Sequence, residues 1–168
     1  MYRYALALGS NRRHGRHGAP AHVLRAAIAA LAAEGIRPIR PSRVIATAAL
    51  GPAGRGFANA ALLVESPLEP PALLRVLKAT ERAFGRRRGR RWGPRVLDLD
   101  ILLWSGGGWR TRALAIPHDA LAHRRFVLDP LVTIAPDWRL PAGATVRQLH
   151  ARLTRPLLIH RARTWSGP

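Results

Sequence analysis

The sequence predicts an α+β fold of the ferredoxin-like type, with a βαββαβ core, an antiparallel sheet, helices on its faces and C-terminal additions. Strand-like apolar segments alternate with two segments of helical periodicity. Their order is strand, helix, strand, strand, helix, strand. No stretch is long enough to act as a linker, so we expect one domain over residues 1–168, frayed from about residue 161.

The first half of the chain supplies three strand segments and one helix. YRYALALGSN predicts a strand over residues 2–8 that ends in a Gly-Ser-Asn turn. In APAHVLRAAIAALAAEG, apolar residues recur at helical spacing until Gly35, a typical stop. The prolines in IRPIRPSRVIATAAL favour a short edge strand or two pieces broken by a bulge. FANAALLVES is typical of a buried strand.

The second half begins with an amphipathic helix, EPPALLRVLKATERAFG, for which Gly85 is a stop. RVLDLDILLW alternates as a strand does, and RALAIPH predicts a further short strand. RRFVLDPLVTIAP predicts a helix interrupted near Pro130. TVRQLHARL predicts a last helix with Thr145 as its N-cap.

Composition narrows the classes of partner. The net charge is +19, from 28 basic and nine acidic residues, which favours polyanions such as nucleotide phosphates, nucleic acid or acidic membranes. The absence of cysteine excludes disulfides and thiolate chemistry. The sequence has no apolar run of about 18 residues and no signal peptide pattern, so we expect a cytoplasmic protein without a membrane span.

Two aspartates stand one residue apart in the last long strand. Residues i and i+2 of a strand share a face, so Asp98 and Asp100 present both carboxylates on one side while Leu97, Leu99 and Ile101 face a core. Paired carboxylates repel each other unless a cation lies between them, and oxygen ligands favour Mg²⁺. The alternative is that the pair only forms salt bridges with neighbouring arginines.

The segment before these aspartates, GRRRGRRWGPR, predicts a flexible arginine-rich loop because of its glycines and proline. A guanidinium group can bind two phosphate oxygens at once. The arginines of the loop and a Mg²⁺ ion held by the carboxylates would together neutralise a polyphosphate from two sides. That combination favours phosphoryl transfer. The glycine-rich loops of the usual ATP-binding folds are absent from the sequence.

RWGPRVLDLDILLW resembles the signature of the 6-hydroxymethyl-7,8-dihydropterin pyrophosphokinases, enzymes of folate biosynthesis. ALGSN at 7–11, TAALGP at 47–52 followed by FANAALLVES, ERAFGRRRGRRWGPR and IPHDALAHRRFVLDPLVTIAP resemble further motifs of the same family, in the same order, over roughly residues 3–140. The resemblance implies transfer of the β,γ-pyrophosphoryl group of ATP to the pterin hydroxymethyl group, releasing AMP. It also implies two Mg²⁺ ions on Asp98 and Asp100, with ATP as co-substrate.

The resemblance also assigns residues to roles. Those implied in catalysis are Arg86, Arg88, Arg95, Asp98 and Asp100. Those implied in ATP binding are Glu81, Arg86, Arg88, Trp92, Arg95, His118 and Arg124. Those implied in pterin binding are Thr47, Leu50, Phe57, Asn59, Trp92, Asp98 and Phe126, with the ring stacked between the two phenylalanines. Three departures stand near the site: Phe57 where tyrosine is frequent, Asp119 after His118, and Ala113 at an expected basic position.

Other functions remain open at this point. The charge suits a nucleic-acid-binding module on the same fold, although the expected aromatic pair and basic-aromatic motif are missing. A D-x-D metal site also serves nucleotidyl- and glycosyltransferases. A paralogue acting on a related pterin, as in methanopterin pathways, fits equally. We expect a monomer that binds pterin and ATP and requires neither nucleic acid nor membrane.

Overall fold

The computed structural model describes residues 1–47, 56–85 and 95–155. Seven strands lie at Tyr2–Ser10 (β1), Arg37–Pro41 (β2), Ile45–Thr47 (β3), Phe57–Ser66 (β4), Asp98–Trp104 (β5), Trp109–Arg110 (β6) and Ala115–Ile116 (β7). The same described ranges hold four α-helices, at Pro20–Ala33 (α1), Pro70–Ala83 (α2), Arg125–Ile134 (α3) and Val146–Thr154 (α4), and a 3₁₀ turn at Leu121–His123. Within these ranges no helix combines the length and apolarity needed to cross a membrane.

The main sheet has the order β2-β4-β1-β5, with β3 beside β4, and every pairing is antiparallel. This arrangement is the ferredoxin-like α+β fold that the order of segments predicts. The register between β2 and β4 shifts between Pro38 and Arg40, so the predicted bulge is present. Proline lacks an N–H donor and is tolerated at such an edge.

One face of the sheet is closed by α1 and α2. Side chains from β1, β4 and β5 alternate toward this face and form the larger core with both helices. Leu97, Leu99 and Ile101 belong to this core, each at most 1 % exposed. The prediction that they face away from the two aspartates is therefore confirmed.

Among the described elements, α3 and α4 cover part of the opposite face. A second core there joins Ala5 and Ala61 of the sheet to Leu128 and Leu131 of α3. The register between β1 and β5 shifts between Ala5 and Leu6, which places one extra residue in β5. That residue falls at Leu102, beyond the two aspartates, so they keep the strict alternation on which the prediction depended.

The helix ends follow local sequence signals with one exception. Gly35 and Gly85 adopt positive φ values directly after α1 and α2, as their role as stops requires. Thr145 caps α4 and forms a capping box with Gln148. The predicted interruption near Pro130 is wrong, because α3 runs through this residue. Pro130 is the sixth of the ten residues of α3 and is buried, so the helix gives up one backbone hydrogen bond there and the ring contributes apolar packing in return.

Candidate active site

On the part of the second sheet face that no other described element covers, the described residues form an open cleft. Strands β1, β4 and β5 provide its floor, and the segment from His118 into α3 provides one wall. Its lining consists of Ala7, Leu8, Gly9, Asn59, Asp98, Asp100, Leu102, His118, Ala120, Arg124, Phe126 and Val127. Six of these residues were assigned to the site from the sequence: Asn59, Asp98, Asp100, His118, Arg124 and Phe126.

Both aspartates line the cleft, and each lies near a different cation. The Asp98 carboxylate accepts a hydrogen bond of 2.6 Å from Arg95 Nη1. Asp100 Oδ1 lies 3.4 Å from Lys78 Nζ. The alternative interpretation, in which arginines neutralise the pair, therefore describes Asp98 but not Asp100 among the described residues.

The backbone of Arg95 is held by the turn after β1. Its N–H donates to Asn11 Oδ1 at 2.7 Å, and its carbonyl accepts from Asn11 N–H at 3.1 Å. This two-point contact fixes the chain at the entrance to β5, three residues before Asp98. Asn11 is a positioning residue that the sequence did not single out beyond its turn motif.

The middle strand leaves room between the aspartates and Asn59. Gly9 pairs with Asn59 on one side and with Asp98 on the other, so all three share one sheet face. A Cβ atom at Gly9 would contact Asn59 Oδ1 at 3.7 Å and Asp98 Cβ at 3.8 Å. Glycine therefore keeps open the gap between an amide side chain and a carboxylate.

Lys78 and Glu81 bind the open edge of β5 from helix α2. Glu81 Oε1 accepts from Leu99 N–H at 2.7 Å, and Lys78 Nζ donates to the Leu99 carbonyl at 2.9 Å. Lys78 Nζ also contacts Glu81 Oε1 at 2.7 Å. An edge strand normally leaves such backbone groups to solvent or to another chain. Here one lysine–glutamate pair occupies both.

The pair places Glu81 against the edge strand. Its side chain is 1 % exposed and accepts from the Leu99 backbone. The contact with nucleotide that the resemblance implies for Glu81 stays a prediction. Lys78, which the sequence analysis did not assign, is the residue of this pair that reaches Asp100. Its signal was available, since it is the chain's one lysine and stands three residues before Glu81.

His118 presents one ring nitrogen as a donor. Its Nδ1 accepts a hydrogen bond from Ala120 N–H at 3.1 Å, so a neutral ring carries its proton on Nε2. The backbone of His118 is anchored by a 3.1 Å bond to the Leu102 carbonyl in β5. The neighbouring Asp119 is exposed and lies 3.1 Å from Arg110, so its charge is matched outside the cleft.

Two exposed phenylalanines flank the site. Phe126 lines the cleft, and the Arg124 guanidinium lies 5.7 Å from its ring centroid. Phe57 stands two residues before Asn59 in β4 and so shares its face, but it is not among the residues that line the cleft. Their exposed fractions are 39 % for Phe57 and 40 % for Phe126, so both rings keep surface that a ligand can contact.

Several assigned residues fall elsewhere. Thr47 pairs with Phe57 at the end of β3 through its backbone. Four assigned residues lie outside the described ranges: Leu50, Arg86, Arg88 and Trp92.

The donor set suits a hard divalent cation with few protein ligands. In the described ranges no three histidine, cysteine, aspartate or glutamate side chains converge on one point. Two carboxylates on one strand face do fit Mg²⁺, which commonly takes one or two carboxylates and completes its shell with water and phosphate oxygens.

Comparison with known proteins gives a consistent result. Residues 5–136 match the family model of 7,8-dihydro-6-hydroxymethylpterin-pyrophosphokinase (HPPK). The chain is similar to the 2-amino-4-hydroxy-6-hydroxymethyldihydropteridine pyrophosphokinases of Synechocystis and Pseudomonas aeruginosa. It is 43 % identical to the first over 102 residues, 60 % of this chain and 52 % of that protein. It is 45 % identical to the second over 103 residues, 61 % of this chain and 64 % of that protein. The match thus spans between about half and two thirds of these relatives.

A solved structure agrees on the fold. Wild-type Plasmodium falciparum HPPK-DHPS matches over 90 % of this chain and 44 % of its own, with a TM-score of 0.61 and 14 % identity. At that identity the likeness concerns the fold alone.

Proposed function

Because the chain belongs to the 7,8-dihydro-6-hydroxymethylpterin-pyrophosphokinase family, we propose that it transfers pyrophosphate from ATP to 6-hydroxymethyl-7,8-dihydropterin in folate biosynthesis. The observation that carries this proposal is that Asp98 and Asp100 share the sheet face that lines the cleft, with Asp98 across Gly9 from Asn59. One end of the cleft is built for cations and phosphates, and the other offers an amide to a polar ring.

The reaction makes one bond and breaks one. The hydroxymethyl oxygen of the pterin attacks the β-phosphorus, and the bond from that phosphorus to the oxygen bridging it to the α-phosphorus breaks. AMP leaves with the bridging oxygen, and the hydroxyl proton passes to solvent. Such transfers depend mainly on positioning and on stabilising the negative charge of the phosphates.

Asp98 and Asp100 would hold Mg²⁺, for which we propose two ions. When bound, the cations would screen the polyphosphate and favour departure of AMP. Arg95 would also stabilise the negative charge of the polyphosphate. Its side chain contacts Asp98, and its backbone is fixed by Asn11. The Nε2–H donor of His118 and the guanidinium of Arg124 add further positive or donor groups on the wall of the cleft.

The pterin would lie toward Asn59 and Phe126. A flat heterocycle is bound well by an aromatic face together with an amide that both donates and accepts hydrogen bonds. Phe57 would contribute the second aromatic face once the ring is bound. The remaining assignments are retained as proposals for the segments outside the described ranges: Leu50, Arg86, Arg88 and Trp92. We also propose that the chain acts as one domain and as a monomer.

Product analysis tests this function. Purified protein is incubated with Mg²⁺-ATP and the hydroxymethyl dihydropterin, and the products are separated and weighed by mass spectrometry. AMP together with the pterin diphosphate in equal amounts is expected. ADP with a pterin monophosphate, or no consumption of ATP when other pterins are also offered, would contradict the proposal.

A further inference from the structure

We propose that Lys78 opposes the binding of a divalent cation to Asp100 in the nucleotide-free protein, while holding that carboxylate in place. The proposal concerns Lys78 itself and rests on the proposed function only in taking Asp98 and Asp100 as the metal ligands. Asp100 and Lys78 come from different elements, β5 and α2, and meet at the open edge of the sheet.

The ammonium group of Lys78 is fixed by three oxygens. It lies 2.7 Å from Glu81 Oε1, 2.9 Å from the Leu99 carbonyl and 3.4 Å from Asp100 Oδ1. The contacts with the buried Glu81 carboxylate and the Leu99 carbonyl are the shorter ones, so these two groups fix the position of the Lys78 ammonium group. Asp100 is the outermost of the three partners and is the one that faces the cleft.

The geometry has two consequences for Asp100. Its Oδ1 is restrained by Lys78, and among the described residues no other cation contacts this carboxylate. A metal bound to Asp100 would stand within several Å of an ammonium group whose position Glu81 and Leu99 fix. Like charges at such a distance near a protein surface weaken binding by roughly 10-fold, and partial solvent exposure of both groups reduces the effect.

The charges around the pair support this reading. Arg95 lies 2.6 Å from Asp98, and Lys78 lies beside Asp100, so each carboxylate already has a cationic neighbour before metal arrives. Glu81 faces Lys78 and Leu99 from α2 and is not among the residues that line the cleft. The nucleotide-free protein therefore binds a free divalent cation weakly at these aspartates. A cation carried by a polyphosphate brings its own negative charge and meets less opposition.

The test is a titration of the protein with Mn²⁺ alone, in which the free ion is followed by electron paramagnetic resonance. Lys78→Met should bind Mn²⁺ about five- to ten-fold more tightly than the unmodified protein. Lys78→Arg, which keeps the charge, should stay within about two-fold. Arg25→Met removes an exposed positive charge from α1, whereas the helix that packs on β5 is α2, and it should also stay within about two-fold.

Loss of Lys78 leaves Glu81 buried beside no ammonium group, so folding is checked by circular dichroism. If Lys78→Met does not fold, Lys78→Met/Glu81→Gln removes the buried charge and keeps an acceptor for Leu99 N–H; tighter Mn²⁺ binding is expected of it too. The gain should vanish when Asp100→Ala is added. Unchanged or weaker Mn²⁺ binding in the folded variants would overturn the proposal. The titration uses neither pterin nor turnover, so its result is independent of whether the product assay succeeds.

Discussion

The two faces of the central sheet are built from the same strands, but one face packs into the core and the other lines the cleft. On the face under α1 and α2, Leu8 of β1 stands opposite Leu99 of β5, and both are at most 1 % exposed. One residue further along, Gly9 stands opposite Asp98 on the other face, which opens into the cleft. Strand alternation thus separates the residues that stabilise the fold from those available for chemistry, at a spacing of one residue.

The largest expected effect comes from removing a carboxylate on the open face. Asp100→Ala should lower kcat/KM for pyrophosphoryl transfer by roughly 10³-fold or more, because the phosphates lose a cation site. The free energy of unfolding should change little, since Asp100 is partly exposed. Steady-state kinetics and urea denaturation measure the two quantities. Asp137→Ala is the matched control, since Asp137 is an exposed carboxylate paired with Arg147 away from the cleft.

Leu99, the neighbouring residue on the sheet face under α1 and α2, should affect stability instead of catalysis when it is replaced. Leu99→Ala removes a fully buried side chain and should lower the free energy of unfolding by about 2–5 kcal/mol. Urea denaturation followed by circular dichroism provides the measurement. A Leu99→Ala protein as stable as the unmodified one would show that the two faces are not divided as described.

Replacing His118 tests whether the wall of the cleft contributes to ATP binding as well as its floor. His118→Ala should lower kcat/KM for ATP by about 10-fold through loss of one donor to phosphate, with little change in stability. His123→Ala is the control, because His123 is exposed in the nearby 3₁₀ turn and does not line the cleft. Equal losses in the two variants would remove His118 from the site.

The smallest effect belongs to a polar group within the closed face. The Tyr4 hydroxyl donates to the Leu68 carbonyl at 2.6 Å, so Tyr4→Phe should cost about 1 kcal/mol of stability and no activity. Burial, followed by the nearby Tyr2 and Glu69 charges, raises the pKa of Tyr4. A raised pKa means that this stabilisation is present below the unfolded value of about 10 and declines as the pH rises above it. Stability measured from pH 9 to 11 should fall more steeply for the unmodified protein than for Tyr4→Phe.

Local patterns in the sequence were sufficient for the fold. Alternation in β1 and β5 and periodicity in α1 and α2 gave the βαββαβ order, because each pattern reflects burial within a single element. Pro130 was misjudged because its cost is offset by what the ring packs against. That is a tertiary fact that a local rule does not contain.

Only part of the candidate site was predicted, because local patterns do not contain the tertiary contacts of its residues. Spacing alone put Asp98 and Asp100 on one face, and family resemblance supplied Asn59, His118, Arg124 and Phe126, which the fold gathers into the cleft. Lys78 could have been singled out as the chain's one lysine. Its contacts and those of Glu81 and Asn11 were not predictable, since they depend on which helix or turn crosses which strand end. Glu81 binds the edge strand from α2, and the nucleotide contact assigned to it by resemblance stays a prediction.

The most direct test of the division between the two faces is a crystal structure with Mg²⁺, the hydroxymethyl dihydropterin and α,β-methylene-ATP, whose bridging carbon replaces the oxygen at the bond to be broken. We expect cations ligated by Asp98 and Asp100 between the protein and the phosphates, with the pterin against Asn59 and Phe126. A nucleotide or metal bound away from these aspartates would contradict it.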